Sequence, residues 1–368
     1  MIHWHEEIAY DFTAPIASQI FTESALFFDI ETTGFSPART HVYMIGCASR
    51  KDDLLLIDQF FAPTPGDEKD VLSAFLTHLE QYDTLITFNG VGFDIPYLKG
   101  RYGHFHFADP FSRFALVDIF KEVSRIKFLL KLPNFKQKSV ESFLGIERED
   151  KFHGGELIDV YHSYVRSPSN EELYLLRQHN YEDVLNMPLL LPILSYARLL
   201  DGNFSLVSIE ANEYTAMDGS TDNKELLFTL KNTFPVPKRI SCGYNEFYLT
   251  TEEDITRLRV RLFEGELKYF FDCYKDYYYL PDEDMAVPKS IAAHVDREHR
   301  KNATASTCYT KKTAIFLPQY GKCFEPSFQE NYKDKKSFFE LTAEFTTSEA
   351  LQQRYINHIL QLIKMQKS

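Results

Sequence analysis

The chain has 368 residues, 44% of them hydrophobic and 15% aromatic, and a formal net charge of −13. That length exceeds one average domain and predicts two, with enough apolar residues for packed cores. The negative charge argues against a nonspecific nucleic-acid coat. No apolar run reaches the roughly 18 to 20 residues of a membrane span, and the start "MIHWHEEIAYDF" lacks the basic-then-apolar plan of a secretory signal.

Residues 1–21 read as an N-terminal segment. "ALFFDI" comes next as a buried strand, and "HVYMIGCAS" and "DLLLIDQFFA" are β-rich runs at short spacing that predict antiparallel pairing with it. "GDEKDVLSAFLTHLEQY" places Val71, Phe75, Leu76 and Leu79 at helical spacing. "DTLITF" is the next strand, stopped by Asn89-Gly90. Helical patterns run from Phe93 to Leu200, and Ser169 with Glu172 forms a capping box that opens the helix carrying "EELYLLRQHNYEDVLNM". Pro188 and Pro192 should break or kink the helix at its C-terminal end. These elements predict an α/β domain over residues 22–200, a mixed β-sheet flanked by helices.

Past Asp201-Gly202-Asn203 the pattern changes to strands and turns: "FSLVSIEANEYTAMDG", "ELLFTLKNTF", "EFYLTTE" and "RLRVRLFEGELKYFFDCY". "KSIAAHVDREHR" and "SEALQQRYINHILQLIKMQ" read as helices. A second, α+β domain is expected over 201–368. Its segment 295–312 combines Arg297, Arg300, Lys301, Lys311 and Lys312 with Tyr309, a mix that could guide a single strand or form a solvated face. Cys47, Cys242, Cys273, Cys308 and Cys323 are dispersed with no C-x-x-C pair. That set suits reduced thiols in the cytoplasm and no thiolate zinc site.

"LFFDIETTGF" carries the chemical question. Alternating strand side chains put Asp29 and Glu31 on one face, where like charges repel and burial raises the cost. Either the strand has simply reached solvent, or other carboxylates share a cation with this pair. Two later segments supply them: "FNGVGFDIPYL" puts Asp94 after a strand and a turn, and "HNYEDVLNM" puts Asp183 on a helix. Hard divalent cations such as Mg²⁺ or Mn²⁺ take such oxygen ligands, and two ions can clamp a phosphoryl displacement.

The order D-x-E, then Asn89-x-x-x-Phe93-Asp94, then a helical Asp183 resembles the DEDD superfamily of 3′-5′ exonucleases with a ribonuclease H-like fold. "LPNFKQKSVESFLGIERED" together with the later "HNYEDVLNM" is more closely similar to bacterial YprB-type ribonuclease H-like proteins, over residues 22–198. The resemblance implies a nuclease acting on DNA or RNA ends by a two-metal mechanism, with a single strand or 3′ end as substrate. It implies that Asp29 bridges both ions, that Glu31 and Asp183 hold one, and that Asp94 acts through water. Asn89 and Phe93 would sit near the terminal nucleotide, with Phe93 as an apolar wall or as plain core packing. Thr32, within D-x-E-T-T-G, joins them as a substrate-binding candidate.

Families of this kind carry Tyr-x-x-x-Asp or His-x-x-x-x-Asp, and this chain has His179-x-x-x-Asp183. Residues i and i+4 share a helix face, so His179 rather than Gln178 is the candidate base, and Tyr181 points elsewhere. From Lys99 to Lys138 nine Lys or Arg stand against three acids, and Lys127, Lys131, Lys136 and Lys138 are candidates for phosphate contact. The competing class is a noncatalytic nucleic-acid-binding or scaffold protein on the same fold; retention of all four carboxylates favours the enzyme.

Overall fold

The computed structural model describes residues 1–150, 152, 154–214 and 223–366. These divide into two compact units, residues 1–198 with 234–238, and Leu199–Thr233 with the chain from Arg239 onward.

The first unit is built on a six-stranded sheet in the order β1-β4-β3-β2-β5-β6. β1 (Ile2–Ala9), β2 (Ala25–Thr32), β3 (Val42–Lys51) and β4 (Leu54–Phe61) pair antiparallel, and β5 (Thr84–Thr87) and β6 (Ala115–Asp118) extend β2 in parallel. The helices in chain order are α1 (Pro15–Ile20), α2 (Glu68–Leu79), α3 (Asp94–His104), α4 (Ile119–Arg125), α5 (Lys127–Leu130), α6 (Gln137–Leu144), α7 (Gly154–Arg166), α8 (Asn170–Leu190) and α9 (Leu194–Leu200). The fold is thus a ribonuclease H-like mixed sheet flanked by helices, as expected.

β2 is central and buried on both faces, which explains its unbroken apolar start. Leu26, Phe28 and Ile30 pack with Val71, Leu72 and Phe75 of α2 and Ile95 and Leu98 of α3. Each such side chain contributes about 1.5–3 kcal/mol when fully buried. Alternation turns Asp29 and Glu31 to the opposite face, where Tyr43, Met44 and Phe61 of the sheet meet Leu157 and Tyr161 of α7 and Leu176 of α8. Ser169 caps α8, its hydroxyl accepting from Glu172 N–H at 3.2 Å. The stretch Asn170–Leu200 is long and apolar enough to cross a membrane by length and composition, yet 72% of its apolar 18-residue window is buried inside the protein.

Three expectations for the first unit change. The sheet begins at Ile2 rather than after residue 21, because the alternating "IHWHEEIA" pairs along β4. β6 interrupts the stretch read as helical from Phe93; at four residues, the first three all apolar, it is too short and too uniform to show a period of two. Pro188 does not break α8 where it stands: the helix runs two residues past it to Leu190 and then tightens into a 3-10 turn at Leu191–Ile193.

The second unit contains three three-stranded sheets among its described residues. β7 (Phe204–Tyr214), β8 (Asn223–Tyr244) and β9 (Phe247–Arg261) form one, and β10 (Phe263–Phe270), β14 (Tyr309–Tyr320) and β15 (Lys336–Glu340) another. β11 (Tyr277–Leu280), β12 (Met285–Pro288) and β13 (Lys301–Asn302) make the third. Glu349–Lys364 is the expected helix. "KSIAAHVDREHR" is not one: it holds only short 3-10 turns at Ala292–His294 and Arg297–His299, and its mostly exposed residues offer no apolar face to bury.

Candidate active site

β2 delivers Asp29 and Glu31, and α8 lies across the same face with His179 and Asp183 one turn apart. A missing side chain permits that approach. Gly46 lies opposite Asp29 on β3, and a Cβ there would stand 2.2 Å from Asn180 Oδ1. Asn180 is fully buried, donates to Asp29 Oδ2 at 3.4 Å, and accepts from Gln59 Nε2 at 3.0 Å.

The loop after β5 brings in Asp94. Asn89 turns the chain at φ +68, a conformation Asn tolerates better than most residues. Asp118 fixes the turn, its carboxylate accepting from Asn89 N–H at 2.9 Å and Val91 N–H at 3.1 Å. Asp94 then opens α3, and its Oδ1 accepts from Ile30 N–H at 3.1 Å, between the two β2 acids. Glu68 and Arg101, both buried, hold the loop after β2. Arg101 forks onto Glu68 at 2.7 and 2.6 Å and reaches Pro37 O at 2.7 Å, and Glu68 also accepts from Val42 N–H.

Glu31, His179 and Asp183 offer ligand atoms all within 4.8 Å of one another. His179 Nε2 stands 3.6 Å from Glu31 Oε1 and 3.4 Å from Asp183 Oδ2. Burial, and then the charges of Asp94, Asp183 and Glu31, push the Asp29 carboxyl well above its usual range. Burial likewise raises Glu31 to about 7, against the opposing pull of His179. Asp94 also rises to about 7, burial outweighing its two backbone hydrogen bonds. These shifts have one physical origin: several carboxylates share a dry space with too little positive charge.

The segment after α6 supplies what positive charge there is. Arg148 Nη1 donates to Asp183 Oδ1 at 2.7 Å and to Glu141 Oε1 at 3.1 Å. Its Nε and Nη2 lie at ion-pair distance from Glu182 and Asp150, 3.4 and 3.6 Å, without forming hydrogen bonds. Burial opposes the Arg148 charge, but Asp183 and Glu141 more than restore it. Two residues on, Asp150 Oδ2 meets His179 Nδ1 at 2.7 Å. Burial disfavours the Asp150 charge, yet His179, Phe152 N–H and Lys138 hold its carboxyl below the usual range. Between these contacts Glu182 accepts from Glu149 N–H at 3.2 Å and Asp150 N–H at 3.0 Å. Arg148 and Asp150 both turn towards α8 from an irregular stretch with a bend at Glu149, and 179 and 183 share one side of the helix. Segment 148–150 therefore lies along α8 with matched opposite charges.

The structure thus brings Asp29, Glu31, Asp94, His179 and Asp183 together. Other candidates fare differently. Lys138 Nζ is engaged by Asp150 at 3.1 Å and by Phe152 O, so it serves segment 148–150 rather than a free phosphate subsite. Lys127, Lys131 and Lys136 are exposed. Thr32 donates to Gly34 O at 2.9 Å and shapes the turn after β2. Phe93 is half-buried against Tyr97 and Phe35, and Phe35, absent from the sequence candidates, stands 86% exposed beside it. Gln178 turns back to Glu182 at 2.8 Å, and Tyr181 is involved with Glu6, away from the acids. Sequence reasoning also missed Asn180, Arg148 and Asp150. No local pattern marks the last two, whose partners on α8 lie 35 and 29 residues along the chain.

The sheet order and this acidic centre define a ribonuclease H-like domain. Residues 26–195 match the family model of the RNase_H superfamily. Over 164 residues the chain is 28% identical to the uncharacterized protein YprB of Bacillus subtilis (strain 168), a match covering 44% of this chain and 39% of that one. The matched segment is thus about two fifths of the relative's length. Among solved structures, the family B DNA polymerase of Pyrobaculum calidifontis overlaps at a TM-score of 0.39 and 18% identity, covering 48% of this chain and 25% of that one. E. coli Exonuclease I in complex with a dA16 oligonucleotide overlaps at 0.29 and 14%, covering 57% and 55%.

Proposed function

We propose that this chain is a divalent-cation-dependent nuclease, a 3′-5′ exonuclease hydrolysing phosphodiester bonds at DNA or RNA ends. The observation that carries this reading is the convergence of Asp29, Glu31, Asp94 and Asp183 around His179, with the carboxyls of Asp29, Glu31 and Asp94 raised for want of positive charge. A protein that only bound nucleic acid would gain nothing from this mutual repulsion. The donor set fits Mg²⁺ or Mn²⁺, which favour carboxylate oxygens. Asp29, Glu31, Asp94 and Asp183 would hold two such ions. When bound, the ions supply positive charge against the scissile phosphate and acidify the attacking water.

The chain's own residues do the rest. Asp150 fixes the His179 ring through Nδ1 and leaves Nε2 facing Glu31 and Asp183. Water attacks phosphorus, Nε2 accepts its proton, and the 3′ oxygen of the preceding nucleotide leaves. General-base help of this kind is worth about 10² to 10⁴ in rate. Arg148 holds Asp183 Oδ1 from behind, so Oδ2 remains on the cleft side. Phe35 and Phe93 offer an apolar wall for a terminal base.

A panel of single- and double-stranded DNA and RNA, labelled at either end, tests the reading in Mg²⁺ and Mn²⁺. The 3′ label should leave first as a mononucleotide while the 5′ label yields a descending ladder. Early loss of the 5′ label contradicts the polarity, and internal fragments contradict exonucleolytic action.

A further inference from the structure

The second unit carries positive charge that its own acids do not consume, and it lies elsewhere than the sequence suggested. In segment 295–312, Lys311 pairs with Asp284 at 2.5 Å and Glu266 at 3.4 Å, and Lys312 with Glu340 at 2.6 Å. Arg300 donates to Ala292 O and lies over the Tyr278 ring. Those three charges are committed internally, which leaves only Arg297 and Lys301, both exposed, of the segment's arginines and lysines.

The β7-β8-β9 sheet differs. "TRLRVR" ends β9, and its alternation buries Leu258 and Val260 while turning Arg257, Arg259 and Arg261 outward. Arg261 N–H donates to Glu246 O at 2.9 Å, so this end of β9 returns beside the stretch that carries Tyr248 and Thr250. Ser241 of β8 meets Thr250 at 3.1 Å and brings Arg239 to the same face. The result is a shallow depression of about 470 Å³ lined by Arg239, Tyr248, Thr250, Arg257 and Arg259. No lining residue is a carboxylate. Glu252 and Glu225 approach only from the rim, 4.0 Å from Arg239 Nε and 3.7 Å from Arg259 Nε. The Arg239–Glu252 pair is exposed on both sides and weak, while Glu225 is largely buried and engages Arg259 by one edge of its guanidinium. Arg257 has no partner among the described residues. Tyr248 is 46% exposed, and its ring passes 3.5 Å from where a Cβ on Gly243 would stand, so one face rests on backbone.

Arginine forks match phosphate oxygens, and an exposed aromatic ring stacks on any base. Three arginines gathered on one face run against a chain of net charge −13. We propose that this face binds the phosphate backbone of a single-stranded nucleic acid, with Tyr248 stacking on a base. The assignment rests on the nuclease reading for its choice of ligand and adds a holding site for longer strands.

The test uses the full chain in EDTA, with fluorescein-labelled (dT)20 and (U)20 titrated by anisotropy at several salt concentrations. Each phosphate contact on a single strand adds about 0.7 to the slope of log affinity against log salt. Arg239→Gln/Arg257→Gln/Arg259→Gln should therefore flatten the slope by about 2, and Tyr248→Ala should weaken binding about 5- to 100-fold. Lys333→Gln/Lys335→Gln is the surface control and should change neither. Cleavage of a dinucleotide in Mn²⁺ should be the same in all variants. Unchanged slope and affinity in the triple variant would overturn the site, even if wild type cleaves normally. Equal competition by a 20-residue poly-glutamate would reassign the face to acidic protein. Binding that obeys these predictions while nothing is cleaved would remove the nuclease reading and leave this one standing.

Discussion

Asp150 Oδ2 stands 2.7 Å from His179 Nδ1, and the same carboxylate is held by Lys138 at 3.1 Å. The histidine therefore has one ring nitrogen fixed and the other turned to Glu31 and Asp183. Asp150→Asn should keep the fold but lose the charge that orients the imidazole, lowering kcat by about 10- to 100-fold, the usual cost of removing an orienting partner. His179→Ala should lower it by about 10² to 10⁴. His179→Tyr should recover part of that loss. The double variant Asp150→Asn/His179→Ala should be no worse than His179→Ala alone. Additive losses in that cycle would separate the two residues.

Stability of the cation-free protein should fall as pH rises. Glu31 moves from 4.5 to about 7 and Asp94 from 3.8 to about 7 in the folded chain. A carboxyl with a raised folded pKa holds its proton more tightly when folded, so its contribution is full below the unfolded value and is lost on passing through 7. His179, also raised, acts in the same direction, losing its contribution above 6.5, whereas His41, His78 and His358, lowered by burial, act against it below 6.5. Asp67, Asp109 and Asp150 are lowered and lose their contributions only below about pH 4. At 1.36 kcal/mol per unit, Glu31 alone accounts for on the order of 3 kcal/mol. Thermal melts in EDTA should show Tm declining from pH 5 to pH 8, and Mn²⁺ should flatten the decline. Glu31→Gln/Asp94→Asn, which leaves the histidines in place, should decline less than wild type, and an equal decline would contradict the crowding of these acids.

Arg148 is the buried cation among Glu141, Asp150, Glu182 and Asp183. Arg148→Ala should cost about 3–5 kcal/mol, because it leaves buried charge uncompensated. Arg148→Lys keeps the charge but not the fork and should fold. In that variant Mn²⁺ affinity, read by titration calorimetry, should drop about 10- to 100-fold. An unchanged affinity would show that Asp183 needs no support from behind.

Gly46→Ala places a methyl 2.2 Å from Asn180 Oδ1, so α8 must shift or Asn180 must leave its site. Overpacking of this kind costs about 1–3 kcal/mol. The variant should lose activity out of proportion to its Tm, since the displaced helix carries both His179 and Asp183. Gly46→Ala/Asn180→Ala should restore Tm and part of the activity.

The acids were legible because each belongs to a recognisable local pattern: an apolar strand before Asp29, a turn before Asp94, a helix opened by the Ser169 cap around Asp183. Their surroundings were not. Asp150 and Arg148 lie in an irregular segment whose partners are some thirty residues away, and no local period reports such pairing. Lys138 looked available for phosphate because a sequence shows charge but not its partner. β6 was hidden by its short, exposed residues, and β1 by the gap in sequence before β4. In the second unit, "TRLRVR" showed strand alternation, but only the fold brought Arg239 and Tyr248 beside it.

The central claim is that Asp29, Glu31, Asp94 and Asp183 hold the cations that make this chain a nuclease. The most direct measurement monitors cleavage of a 5′-labelled single strand by wild type and Asp183→Asn, in Mn²⁺ and after EDTA. Circular dichroism and Tm are recorded on the same samples. Wild type should cleave only with the cation, and Asp183→Asn, with its folded circular dichroism spectrum retained, should be inactive in both conditions. Cleavage that persists in EDTA, or equal cleavage by a folded Asp183→Asn, would contradict the account.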